Sequence, residues 1–215
     1  LVSRQVYSLH ESAEGRIWFG AYEGINWYDP DTRSFGGLRF DPNLLGYPLL
    51  NPICTIAIGP DSRLWCGSEE GGGIMRYDPM SGDYSRVLHD PAIPFSLSDN
   101  RVRQIYRDPC GCYWIATLGG GVNYIDPAAI TFQCHVPILP GLQSPEVRAV
   151  LLDRRGTLWT SYHFGFGTFE PEQQRFTWSP LSGQIDSYRV LPCITGLLED
   201  QVGRIWIVSD DADAR

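Results

Sequence analysis

Asp108-Pro109-Cys110-Gly111-Cys112-Tyr113-Trp114-Ile115-Ala116-Thr117-Leu118-Gly119-Gly120-Gly121-Val122-Asn123-Tyr124-Ile125-Asp126-Pro127 decides how the rest of the chain is read. Asp, Pro and Gly open it as a turn. A short aromatic and β-branched run follows, three glycines interrupt it, and a second apolar run ends at an acid–Pro pair. Short runs of this composition, bounded by Gly, Asp and Pro, are strands and turns.

The phrase recurs. Ile17-Trp18, Leu64-Trp65, Tyr113-Trp114, Leu158-Trp159 and Ile205-Trp206 stand 47, 49, 45 and 47 residues apart. Twelve residues before each Trp comes Val6, Ile53, Val102, Val147 or Ile194. Nine before comes Leu9, Ile56, Ile105, Val150 or Leu197. Asp108, Asp153 and Asp200 hold the position six before; Ser12 and Gly59 hold it in the first two units. After each of the first four Trp comes a small or Gly-rich stretch, then a strand ending at Asp29-Pro30, Asp78-Pro79, Asp126-Pro127 or Glu170-Pro171.

A repeat of about 40–50 residues belongs to a propeller or a helical solenoid. Pro and Gly break every helical window, so each unit holds four short strands, A to D. In the third unit these are about Arg101–Arg107, Tyr113–Thr117, Val122–Ile125 and Thr131–His135. The expected fold is an all-β propeller of four-stranded antiparallel blades. The units fall near 1–47, 48–96, 97–141, 142–188 and 189–215, the last one partial. About four and a half blades leave open sheet edges, so the expectation is a partial ring from a longer protein with about seven blades. The first residue, Leu1, agrees with that; if the chain is whole, two copies could pair as a homodimer.

The third unit resembles the two-component regulator propeller repeat. The residues that carry the likeness are Ser96-Leu97-Ser98, Asn100, Val102, Ile105, Asp108, Gly111, Trp114-Ile115-Ala116-Thr117, Gly119-Gly120-Gly121-Val122, Tyr124 and Asp126-Pro127. Five copies in phase extend it along the chain. The second unit departs with Gly59-Pro60-Asp61-Ser62, the fourth with Ser161-Tyr162-His163-Phe164-Gly165, and the fifth with Ser209-Asp210-Asp211. The resemblance implies the sensor region of a bacterial hybrid two-component system, periplasmic or otherwise extracytoplasmic. It also implies a membrane-anchored parent and a histidine kinase in other segments.

Alternating strands put the A–B and C–D turns at one end of every blade and the B–C and D–A loops at the other. The first end repeats the same Asp, Gly and Pro, which is turn chemistry. The second end varies, and variable loops on a rigid scaffold are where binding concentrates. The candidate ligand residues there are Tyr22, Glu23, Glu69, Glu70, Leu118, Tyr162, His163 and Phe164. Rings beside carboxylates suit a sugar, so the leading expectation is sensing of a small carbohydrate or similar ligand. A protein–protein scaffold is the alternative; a propeller hydrolase or lyase is a third reading. The repeated Trp residues, with Tyr28, Tyr77 and Tyr124, are read as core. Trp27 and Trp178, outside the repeat phase, are read as solvent-edge packing.

The remaining features exclude classes more than they assign one. The formal net charge is −8 with no basic stripe, against a nucleic-acid partner. No apolar run is long enough to span a bilayer as a helix, and no signal-peptide pattern opens the chain. Four His show no ligand-like pairing, and no nucleophile elbow or phosphate loop followed by a helix occurs. No catalytic residue, metal or cofactor is assigned. Six Cys lack a CxxC pair and read mostly as buried or strand-end thiols, with one disulfide left open.

Overall fold

The computed structural model describes residues 4–39, 52–128, 131–137, 146–162, 165–170, 173, 175–180 and 193–210. Among these there are strands and turns and no helix. Blade one comprises β1 (Val6–Glu11), β2 (Ile17–Ala21), β3 (Gly24–Asp29) and β4 (Ser34–Arg39). Blade two comprises β5 (Ile53–Ile58), β6 (Leu64–Ser68), β7 (Ile74–Tyr77) and β8 (Tyr84–Val87). Blade three comprises β9 (Val102–Arg107), β10 (Tyr113–Thr117), β11 (Val122–Asp126) and β12 (Thr131–His135). Blade four comprises β13 (Ala149–Leu152), β14 (Leu158–Tyr162), β15 (Gly165–Glu170) and β16 (Arg175–Pro180); β17 (Cys193–Glu199) and β18 (Ile205–Asp210) form a two-stranded fifth sheet. Within every sheet consecutive strands pair antiparallel. This is the propeller blade the repeat predicts.

Four of the five inner strands slip register at one place: Val6/Ser8, Ile53/Thr55, Val102/Gln104 and Ile194/Gly196. A bulge there leaves the residue between them without a ladder partner and re-aims its side chain. Those residues are Tyr7, Cys54, Arg103 and Thr195; Arg148 has the same place just before β13.

Blades join through their inner strands. The Ile105 amide donates to Thr55 Oγ1 at 2.9 Å, and the Val150 amide donates to Gln104 Oε1 at 2.7 Å. The Ser8 and Ser161 hydroxyls donate across to the Ile53 and Ile194 carbonyls at 3.2 and 3.3 Å. Three apolar clusters lie between blades, around Trp18 and Ile53, Trp65 and Ile105, and Trp114 and Val150. Burying each such side chain stabilises by about 1.5–3 kcal/mol.

Burial tracks position along the row of blades. Ile56 is 5% exposed, whereas Leu9, its equivalent in β1, is 64% exposed. Trp18, Trp65 and Trp114 are buried as expected. Trp159 is only half-buried and Trp206 is 53% exposed, which corrects the reading of all five as core. The reason is coverage: among the described residues a two-stranded sheet stands against blade four, which holds Trp159, and no further blade stands against Trp206.

The repeated Asp does more than shape its turn. Asp108, Asp153 and Asp200 accept the indole N–H of Trp114, Trp159 and Trp206 at 3.0, 2.9 and 2.9 Å. The second blade departs in sequence yet reaches the same bond: Asp61, four before Trp65, accepts its indole N–H at 2.9 Å. A Cβ at Gly59 would run into that indole, so the usual Asp position is closed in this blade. Trp27 packs across Gly36 and under the Arg16 guanidinium, 4.9 Å from the ring centre. Trp178 is partly exposed, in keeping with edge packing.

Candidate ligand-binding face

The face is built on the connection from β8 to β9. Leu97 is fully buried in the cluster between blades two and three. Ser96 and Ser98 on either side hold the backbone. The Ser96 hydroxyl donates to the Asp90 carbonyl at 2.8 Å, and the Ser98 amide donates to Asn123 Oδ1 at 3.0 Å. Asn123 Nδ2 donates back to Ser98 Oγ at 2.7 Å. His89 Nδ1 lies 2.6 Å from the Leu97 carbonyl, and the His89 amide donates to Asn100 Oδ1 at 2.6 Å. The Gly119–Gly121 turn lies flat on this segment. A Cβ on Gly119 or Gly120 would meet Asp99 and Arg101, or Ser98. Glycine at these positions lets the β10–β11 turn, expected as a strand link, pack closely on that segment.

The candidate residues then separate. Tyr22 is exposed at the β2–β3 turn, and Glu23 beside it pairs with Arg39 at 2.7 Å. Glu69 and Glu70 lie on the β6–β7 loop. The Glu69 carboxylate reaches over blade three, 3.7 Å from Arg103 Nη1. Leu118 donates its amide to the Arg101 carbonyl at 3.0 Å and accepts from Arg101 Nη2 at 3.3 Å. Tyr162 is a correction: it ends β14, is 1% exposed and accepts from Thr160 Oγ1 at 2.9 Å. It is core, and burial pushes its hydroxyl up to about 12. His163 and Phe164 lie outside the described residues.

The sequence reading passes over several groups on this end. Phe95, 62% exposed, and Ile93 stand out from the anchored β8–β9 connection. Arg101, Arg103, Glu146 and Arg148 line the start of the inner strands. Arg101 is tied to Asp99 by Nε and Nη2, both at 3.1 Å. Arg148 lies 3.5 Å from Glu146. Cys54, at the same bulge place in blade two, has its thiol pushed up by burial and then by Glu69. The available signal is the repeat position itself: eleven residues before its Trp, the third and fourth units carry Arg103 and Arg148 where the others carry Tyr7, Cys54 and Thr195.

Among the described residues no group of three or more His, Cys, Asp or Glu is placed to hold a metal. Cys54, Cys66, Cys110, Cys112 and Cys134 are free thiols. A cavity of about 320 Å³ opens at the opposite end, between blades two and three. Asp61, Trp65, Arg76, Ile125 and Phe132 line it.

Residues 96–119 match the family model described as two component regulator propeller. The third blade is similar to a two component regulator propeller repeat from the β8–β9 connection through β10. The match begins at Ser96-Leu97-Ser98, the segment that anchors the β8–β9 connection, and ends in the glycine turn packed on it. Histidine kinase P4 of Formosa agariphila is 26% identical over 105 residues, which are 48% of this chain and 8% of that protein. The extracellular domain of a hybrid two component system from B. thetaiotaomicron is similar at 25% identity and a TM-score of 0.70 over 95% of this chain. This chain covers 28% of that domain. Virginiamycin B lyase from Staphylococcus aureus shares the fold, with 16% identity, a TM-score of 0.66 and coverage of 97% of this chain and 64% of the lyase. The chain thus matches the repeat model over residues 96–119 and resembles extracellular domains of two component systems, while spanning about a quarter of their length.

Proposed function

We propose that this chain is the ligand-binding part of an extracytoplasmic sensor, with the B–C and D–A loop end as its binding face. The observation that supports it is the contrast between the two ends. One end repeats the Asp-to-indole turn in blade after blade. The other carries different side chains on the same scaffold: Tyr22, Glu69, Phe95, Arg103 and Arg148. Rings, carboxylates and guanidiniums on a rigid frame favour a polar ligand such as an oligosaccharide. In this reading the blades belong to a larger, membrane-anchored protein of about seven blades per ring, and a kinase elsewhere in that protein receives the signal.

A protein partner is the second reading, favoured by the exposed Phe95, Ile93 and Tyr22 on the same end. Glycan arrays followed by calorimetry on this region separate the two. Saturable binding of one glycan class, lost on mutating Phe95 or Tyr22, supports sensing. Silence to all glycans, with stoichiometric capture of a partner domain that needs Phe95, supports a scaffold. Turnover is the remaining outcome. The enzyme reading rests on Glu69, which faces Arg103, and on His163.

A further inference from the structure

We infer that Arg103 and Arg148 form a subsite for an oxyanion, a carboxylate or sulfate group of the ligand, at the inner-strand end of the proposed face. The two occupy equivalent places in adjacent blades, Arg103 at the β9 bulge and Arg148 just before β13, and these blades are joined by the Val150 amide on Gln104 Oε1. Tyr7, Cys54 and Thr195 hold that place in the other three sheets, so only this sector presents guanidinium.

The contrast with Arg101 carries the argument. Its fork is filled: Asp99 takes Nε and Nη2, and the Leu118 carbonyl takes Nη2 again. Arg103 and Arg148 are held more loosely: besides its carboxylate, Arg103 has the Cys54 sulfur within hydrogen-bond reach, a weak acceptor. Their carboxylates stand at 3.7 and 3.5 Å, the range of an ion pair and not of a good hydrogen bond. The Nε atom of each is buried and has no acceptor. A buried donor without an acceptor is costly, and guanidinium has a planar fork matched to two oxygens of one anion. Glu69 stands on Arg103 Nη1, off the Nε–Nη2 edge, and Glu146 stands 3.5 Å from Arg148 Nη2 and leaves its Nε open. A small rotation of the loosely held fork offers that edge to an incoming oxyanion. The oxyanion then takes the Nε–H of each guanidinium, while Glu69 and Glu146 remain on the Nη side. Lys in either place would keep the charge and lose the fork.

The inference rests on the binding-face reading for its location, and its test is separable from that reading. The Nε–H resonances of ¹⁵N-labelled protein, assigned with Arg103→Lys and Arg148→Lys, are followed while sodium glucuronate, sodium sulfate or glucose is added at constant ionic strength. The Arg103 and Arg148 signals are expected to move together and saturably with glucuronate or sulfate, with Arg101 nearly still and glucose inert. Arg148→Gln should weaken the binding at least about tenfold, and so should Arg103→Gln. Response to sulfate alone identifies a sulfated group, and response to glucuronate alone a carboxylate. Unmoved signals, or shifts that chloride reproduces, overturn the subsite. A neutral glycan that binds without moving either signal overturns it and leaves the sensor reading standing. Saturable sulfate binding with no glycan bound keeps the subsite and removes the carbohydrate reading.

Discussion

The Asp108 carboxylate holds two parts of one blade at once. Oδ2 accepts the buried Trp114 indole N–H at 3.0 Å, and Oδ1 accepts the Cys112 amide at 2.9 Å. One side chain thus closes the β9–β10 turn and satisfies the polar atom of the largest ring in the blade interior. Asp108→Ala removes both bonds and leaves the indole N–H buried. We expect a loss of about 2–3 kcal/mol in urea unfolding. Asp200→Ala, beside the exposed Trp206, should cost clearly less, because water replaces the carboxylate. Equal losses would show that the turn, and not the indole, sets the effect.

Ser62 has φ of 60°, a region L-residues avoid; Gly15, Gly111, Gly156 and Gly203 hold the same turn position at φ of 77°, 88°, 82° and 83°. The left-handed conformation costs a side chain about 1–2 kcal/mol, and glycine's greater freedom when unfolded returns about 0.5–1. Ser62→Gly should therefore raise stability by up to about 1 kcal/mol, a rise in Tm of about 2–4 °C. Gly111→Ser should lower it. Calorimetry on both variants checks the sign, and a drop for Ser62→Gly would refute the reading.

Leu97→Ala empties a fully buried site between blades two and three. The expected loss is about 2–5 kcal/mol. Because Leu97 also anchors the β8–β9 connection, hydrogen exchange of amides 90–100 should accelerate beyond the global change. Uniform acceleration along the chain would mean that the anchor is not local.

Acid should weaken the fold, most steeply below about pH 4. Backbone amides of the turns, those of Thr32 and Met80 first, hold the Asp29 and Asp78 carboxyls below their usual range. The Arg204 amide and then the Trp206 indole bring Asp200 down to about 2. A carboxyl depressed in the folded state contributes its stability above the unfolded value, near 3.9, and loses it as pH falls through the folded value. Urea midpoints should already fall somewhat from about pH 7 to 5, because burial holds the His10 and His135 imidazoles below their usual range, and should fall further toward pH 2 as the carboxyls are lost. Stability that rises on acidification would contradict this.

Sequence alone determined the blade. Alternating apolar residues, Gly turns and acid–Pro ends are short-range physics, so the strands of the third unit fell within a residue of their observed bounds. The same pattern marked the variable end and the resemblance carried by residues 96–119. It did not reveal that Tyr162 turns inward, because a ring at a strand end reads the same whether or not a neighbouring blade covers it. Nor did it reveal that Asp61 replaces the missing Asp by reaching Trp65 from a different place. Only the tertiary structure set Glu69 over Arg103 and put Arg103 and Arg148 on adjacent inner strands. Those pairings join residues 34 and 45 positions apart, and such proximity is fixed by how one blade packs on the next, which no local pattern encodes.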